Sequence, residues 1–175
     1  FATQNPIEQE GTYVLPEAQA DRFMFCLNTT YPSRSDEERV VRETTGTSQP
    51  IITPVITGPE LIEAQKLVRS VPVSDEVIAY AVRLVSRTRP ETPEAPSYIR
   101  EFVRWGASPR ASQFLVLGAK ANAATTGRLC ADEEGIRRVA RQVLRHRINP
   151  NFNARAQKVD VETLIDRLLK DVPIR

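Results

Sequence analysis

From Ser35 onward, apolar residues recur at helical spacing, and each run is preceded by a residue type that opens helices. Ser35 stands three residues ahead of Glu38, a capping-box spacing, and Thr57 and Glu60 repeat it before Leu61, Ala64, Gln65 and Val68. Ser74 precedes Asp75 and Glu76, acids suited to the positive end of a helix, and Val77, Ile78, Ala81, Leu84 and Val85 form the stripe behind them. Ser97 is expected to start a short helix carrying Ile99, Phe102 and Val103, stopped by Gly106. Ser108 and Pro109 give the favoured cap-then-proline order for a longer helix reaching about Gly127, with Ala111, Phe114, Leu115, Gly118 and Ala121 inside. Asp132 opens the next, with Ile136, Val139, Ala140, Val143 and Leu144 as its stripe, and a last helix carries Val161, Leu164, Ile165, Leu168 and Leu169.

The N-terminal part reads differently. Residues 23–27, FMFCL, alternate in the manner of a strand, and FAT at the start reads as the tail of another. Two strands do not stabilise themselves, so further sheet partners are expected. Residues 46–57 lack helical period, contain two prolines and read as a connector; residues 89–97 hold three prolines and read as a loop between helices. The fold class is therefore mainly α, a helical bundle preceded by a short α/β remnant.

Composition changes this picture little. The chain has 175 residues, 41% hydrophobic and 26% charged, ordinary globular values, and its formal net charge of +2 does not imply a nucleic-acid partner. Cys26, Cys130 and the single histidine, His146, cannot build a four-ligand zinc site and suit a reducing, cytoplasmic setting. No apolar run approaches the ~18 residues of a membrane span. The opening residues also lack the pattern of a signal peptide.

Three residues are candidates for chemistry. Asn5, before Pro6, sits where a strand would turn into a loop; an amide there can orient a water or a phosphate oxygen, and a plain turn-forming pair accounts for it too. Arg22 lies in the polar stretch PEAQADRF, expected to form a helical turn. Its guanidinium could reach across a subunit interface to a transferring phosphoryl group, or it could form a surface pair with Asp21. Arg110, in GASPRAS, occupies the first turn of a helix, where a cation gains nothing from the dipole and an anionic partner would explain it better. Arg137, Arg138, Arg141, Arg145 and Arg147 give one helix a basic face that either meets nucleic acid or is the solvated back of an amphipathic helix. The acids of VSDE and ADEE sit at helix starts and do not form a metal-binding pair. None of the seven glycines is followed by lysine, so the sequence holds no G-x-x-x-x-G-K-[ST] phosphate loop.

Taken together, FATQNPIEQEGTYVLPEAQADRF closely resembles the segment around sensor 1 and the arginine finger of MoxR-type AAA+ ATPases. WGASPRASQFLVLGAKANA resembles their sensor-2 helix and VLRHRI their late lid helix, the likeness covering roughly residues 1–156. The resemblance implies that residues 1–50 are the end of an α/β nucleotide-binding domain and residues 51–175 a helical lid. It implies Asn5 as sensor 1, Arg22 as the arginine finger and Arg110 as the nucleotide-binding sensor 2. It further implies ATP and Mg2+ as cofactors of the full-length protein, a hexameric ring with a chaperone-like role, and partners bearing a von Willebrand factor A domain. The Walker A loop and Walker B acids of the family are missing from these residues, so the expectation is a piece of a longer ATPase, inactive alone. The alternative is a non-catalytic helical module that binds a protein partner or, less favoured, nucleic acid.

Overall fold

The computed structural model describes residues 1–4, 15–47 and 51–174. In chain order the described elements are α1 (Glu17–Ala20), α2 (Arg34–Thr44), α3 (Gly58–Ser70), α4 (Asp75–Ser86), α5 (Ser97–Phe102), β1 (Val103–Trp105), α6 (Pro109–Thr125), α7 (Glu133–Leu144), β2 (Asn149–Pro150), α8 (Phe152–Ala156) and α9 (Val161–Asp171). They form two compact units, one of Phe1–Cys26 with Val71–Arg175, the other of Leu27–Ser70.

The smaller unit holds α2 and α3, and neither helix buries a residue. Their ends are set locally. In α3 the capping box forms as the spacing predicts: Thr57 N donates to Glu60 Oε2 at 2.7 Å, and Glu60 N donates to Thr57 Oγ1 at 3.4 Å. In α2 the cap is Ser33 rather than Ser35, its Oγ accepting from Asp36 N at 3.2 Å. Ser33 and Asp36 stand at the same three-residue spacing as Ser35 and Glu38, and the earlier serine takes the extended backbone a cap requires.

The larger unit carries the core. In α4, Val77, Ala81, Leu84 and Val85 are buried as their stripe predicts, but Tyr80 joins them while Ile78 faces outward. Tyr80 is fully buried because its hydroxyl has a partner: Arg137 Nη1 donates to it at 3.0 Å. The same guanidinium donates to the carbonyls of Leu169 and Val172, covering the C-terminal end of α9. Helices α6 and α7 approach closely through small residues. A Cβ on Gly118 would come within 3.0 Å of Val139 Cγ2, and one on Gly135 within 3.2 Å of Ala119 Cβ. The buried residues of α6 are Ala111, Leu115, Gly118, Ala119 and Ala123, so Ala119 and Ala123 hold the place expected of Ala121.

Two features depart from the expected elements. Residues 97–105 do not form one helix: after Phe102 the chain extends into β1, which pairs antiparallel with β2, Val103 opposite Pro150 and Trp105 opposite Asn149. Gly106 is then needed for close approach, because a Cβ there would stand 2.2 Å from the Thr88 carbonyl oxygen. Residues 23–26 bend after α1 and join no strand among the described residues. Phe23 and Phe25 are exposed while Met24 and Cys26 are half-buried, and Cys26 N donates to Gln142 O at 2.9 Å. The alternation in the sequence is real, and the surface it lies on is the end of α7 instead of a sheet.

Candidate functional site

Pro16 opens α1, a single turn, and Asp21 closes it, its N–H donating to Glu17 O at 2.8 Å. That turn presents the Asp21 carboxylate to the start of α6. Ser108, the N-cap of α6, accepts from Arg110 N at 3.2 Å and sends its hydroxyl proton to Asp21, 3.0 Å from Oδ1 and 2.9 Å from Oδ2. Arg110 Nη1 donates to Oδ2 at 2.9 Å from a side chain 43% exposed.

The other side of Asp21 faces Arg147, whose side chain is 1% exposed. Arg147 Nε donates to Asp21 Oδ1 at 2.8 Å; Nη2 donates to Asp21 O at 2.7 Å and to Phe23 O at 2.5 Å; Nη1 donates to Val143 O at 2.5 Å and to Met24 O at 3.3 Å. All five guanidinium donors are thereby used, four of them on residues 21–24. The Phe114 ring lies beneath, 5.1 Å from the guanidinium carbon. Burial opposes ionisation of Asp21, yet the hydrogen bonds from Ser108 and Arg147, the Arg147 charge and the Arg110 hydrogen bond outweigh it and hold the carboxyl below its usual range. The pair therefore stays charged at neutral pH.

His146 adds a further tie, its Nε2 lying 3.1 Å from Phe23 O, while Nδ1 is buried without a hydrogen-bond partner. Phe23 O can only accept, so Nε2 carries the proton and Nδ1 is bare. Burial first, then the Arg147 charge, push the ring below the ordinary histidine value of 6.5. A histidine in the unfolded chain takes up its proton near 6.5, ahead of the folded ring. Stability is therefore expected to fall as pH drops through 6.5 toward the folded value. The check is NMR titration of the ring proton: a midpoint at or above 6.5 would show that the ring is not held neutral.

The candidate residues fare differently. Asn5 lies outside the described residues. Arg22 is exposed, and its side chain has no hydrogen bond or ion pair among the described residues; the surface pair with Asp21 does not form, because Asp21 is taken by Arg110 and Arg147. Arg110 meets an anion, and that anion is the residue next to Arg22. Sequence reasoning missed Asp21, Ser108 and Arg147. Arg147 stands in the basic stretch expected either to meet nucleic acid or to form a solvated helix back, yet it follows Ile136, Ala140 and Val143 at helical spacing, on the buried side. The other members of that face also have partners: Arg137 on the α9 carbonyls, Arg138 with Glu134 at 3.5 Å, Arg141 with Asp166 at 2.7 Å and Arg145 with Glu162 at 2.8 Å. Among the described residues no group of three or more His, Cys, Asp or Glu could hold a metal ion, and no helix is long and apolar enough to cross a membrane.

Comparison with known proteins addresses both halves of this junction. Residues 1–25 match the ATPase family associated with various cellular activities (AAA), and residues 95–168 match the AAA lid domain. The chaperone MoxR1 of Mycobacterium tuberculosis is 36% identical over 174 residues, covering 99% of this chain and 46% of that protein. The protein MoxR of Methylorubrum extorquens is 28% identical, covering 99% of this chain and 54% of that protein. A crystal structure of a candidate ATPase from Cytophaga hutchinsonii superposes with a TM-score of 0.91 at 33% identity, over 98% of this chain and 52% of that one. The chain belongs to the MoxR-type AAA+ ATPases, matching their C-terminal portion. It spans about half the length of the MoxR relatives it matches. In this MoxR-type chain, Asp21 belongs to the segment matching the ATPase family, whereas Ser108, Arg110 and Arg147 belong to the segment matching the lid. Their contacts are where the two matched segments meet.

Proposed function

We propose that this chain works within a MoxR-type ATPase as the finger-bearing end of the nucleotide-binding domain (residues 1–50) and its helical lid (residues 51–175). The intact protein would be a cytoplasmic hexameric ring that hydrolyses ATP with Mg2+ to remodel protein partners, among them von Willebrand factor A domain proteins. Asn5 would serve as sensor 1, aligning the attacking water; Arg22 as the arginine finger offered to a neighbouring subunit; Arg110 as sensor 2.

The observation that carries this reading is the anion already on Arg110. A guanidinium in the first turn of α6, 43% exposed and holding a carboxylate at 2.9 Å, has the charge, access and geometry a phosphate requires. ATP bound there supplies the phosphoryl group for transfer, and Arg110 would orient it while the phosphate cradle and the Mg2+ ligands come from elsewhere in the intact protein. The nucleic-acid alternative is disfavoured because the arginines it would use are engaged within the chain.

The test is ATP hydrolysis by the intact ATPase as a function of its concentration. Specific activity is expected to rise with concentration, because each site would be completed by Arg22 of a neighbour. Specific activity constant down to dilutions at which the protein is monomeric would reject shared sites.

A further inference from the structure

We propose that Asp21 is a positioning residue that competes with nucleotide for Arg110 and thereby links occupancy of that arginine to the placement of Arg22. The inference rests on the reading of Arg110 and Arg22 given above and adds a residue and a coupling to it.

The two oxygens of Asp21 do different work. Oδ1 faces Arg147, whose side chain is 1% exposed and whose other donors hold the carbonyls of Asp21, Phe23 and Met24. Oδ2 faces Arg110, whose side chain is 43% exposed. Ser108 bridges both oxygens, at 3.0 and 2.9 Å. If Arg110 leaves, Oδ2 keeps the serine hydroxyl and Oδ1 keeps Arg147, so the carboxylate is not stranded. If Arg147 leaves, the carbonyls of Asp21, Met24 and Val143 lose their side-chain donor, while Asp21 Oδ1 keeps only Ser108 and Phe23 O only His146. Arg147 is thus the permanent holder of residues 21–24, and Arg110 the exchangeable one.

A phosphate gripped through Arg110 Nη1 displaces Oδ2, and doing so removes one of the three side chains that grip the residue immediately before Arg22. With Arg110 on Asp21, the turn bearing the finger is held by three lid side chains; with Arg110 on phosphate, it is held by Ser108 and Arg147 alone. Nucleotide at the lid is in this way communicated to the base of the finger through one carboxylate, without rearrangement of the core.

The experiment uses Asp21→Asn in the intact ATPase, with ATP as the probe. The amide keeps the size of the side chain and an oxygen for Arg147 but removes the charge that detains Arg110. ATP is expected to bind about threefold more tightly, the scale of one half-exposed ion pair. At saturation kcat is expected to drop roughly a hundredfold, because Arg147 then grips a neutral amide in place of a carboxylate and a finger misplaced by about an ångström loses that much. Tighter binding with slower turnover is a split that mere loss of structure does not produce. Adding Arg110→Ala to Asp21→Asn should abolish the gain in affinity. If Arg110→Ala alone leaves ATP affinity unchanged, the sensor-2 reading itself fails. If Arg110→Ala weakens ATP but Asp21→Asn does not tighten it, that reading stands and the coupling is overturned.

A second measurement avoids altering Asp21. In an Arg22→Ala protein, where the finger cannot engage a neighbour, amide exchange across residues 23–26 is expected to quicken on adding ATP. Unchanged exchange with ATP bound would overturn the coupling.

Discussion

Replacing Arg22 with alanine in the intact ATPase is expected to lower ATP turnover by about a thousandfold or more, the scale on which an arginine finger acts, while leaving nucleotide binding intact. A finger needs a fixed base and a free tip. The base is fixed here by neighbours on both sides: the Asp21 side chain holds Ser108, Arg110 and Arg147, and Phe23 O accepts from Arg147 and lies 3.1 Å from His146 Nε2. The tip is exposed and engages no partner among the described residues. Arginine at such a point has little role in stability, since an exposed, unpaired cation contributes almost nothing to the fold. The thermal midpoint of Arg22→Ala should therefore match the parent, which separates a catalytic defect from unfolding. Arg22→Lys keeps the charge but not the planar fork that spans two phosphoryl oxygens, so it should recover only a small part of the rate. Turnover within a few-fold of the parent in Arg22→Ala would reject the finger assignment, whatever the state of the ring.

How far the molecule could be read in advance follows from the range of the interactions involved. Helix starts depend on a few consecutive residues, and the caps at Ser74, Ser108 and Asp132 form where the sequence places them. The capping box of Thr57 and Glu60 does as well. Where two local signals compete, as at Ser33 and Ser35, spacing does not choose between them. The pairing of β1 with β2 joins residues far apart in sequence, and nothing local around Val103 distinguishes a helix end from a strand. Asp21 illustrates the same limit within the site. Its partners lie 87, 89 and 126 positions away, so the local sequence offers it only Arg22 as a surface partner. Arg147 was legible in principle: extending the stripe of Ile136, Ala140 and Val143 by one turn reaches it. Its charge argued for solvent, and only the carboxylate and carbonyls brought by residues 21–24 make burial tolerable.

That distinction sets the largest expected effect on stability. Arg147→Met should destabilise the lid unit by about 3–5 kcal/mol, the cost of removing one partner from a buried ion pair. Methionine can fill much of the space over Phe114, so the loss is electrostatic: Asp21 Oδ1 and the carbonyls of Asp21, Phe23, Met24 and Val143 would all lose a donor. Arg110→Ala removes an ion pair to the very same carboxylate, yet from a side chain 43% exposed, and should cost no more than about 1 kcal/mol. Denaturant unfolding of the two variants side by side makes the comparison, with midpoints reported at equal slope. Equal, small losses would mean that residues 21–24 are not held by Arg147 and that the base of the finger is set by some other contact. A large loss for Arg147→Met alone would show that one carboxylate is held chiefly by the buried arginine and only weakly by the exposed one, the asymmetry on which the proposed communication between lid and finger rests.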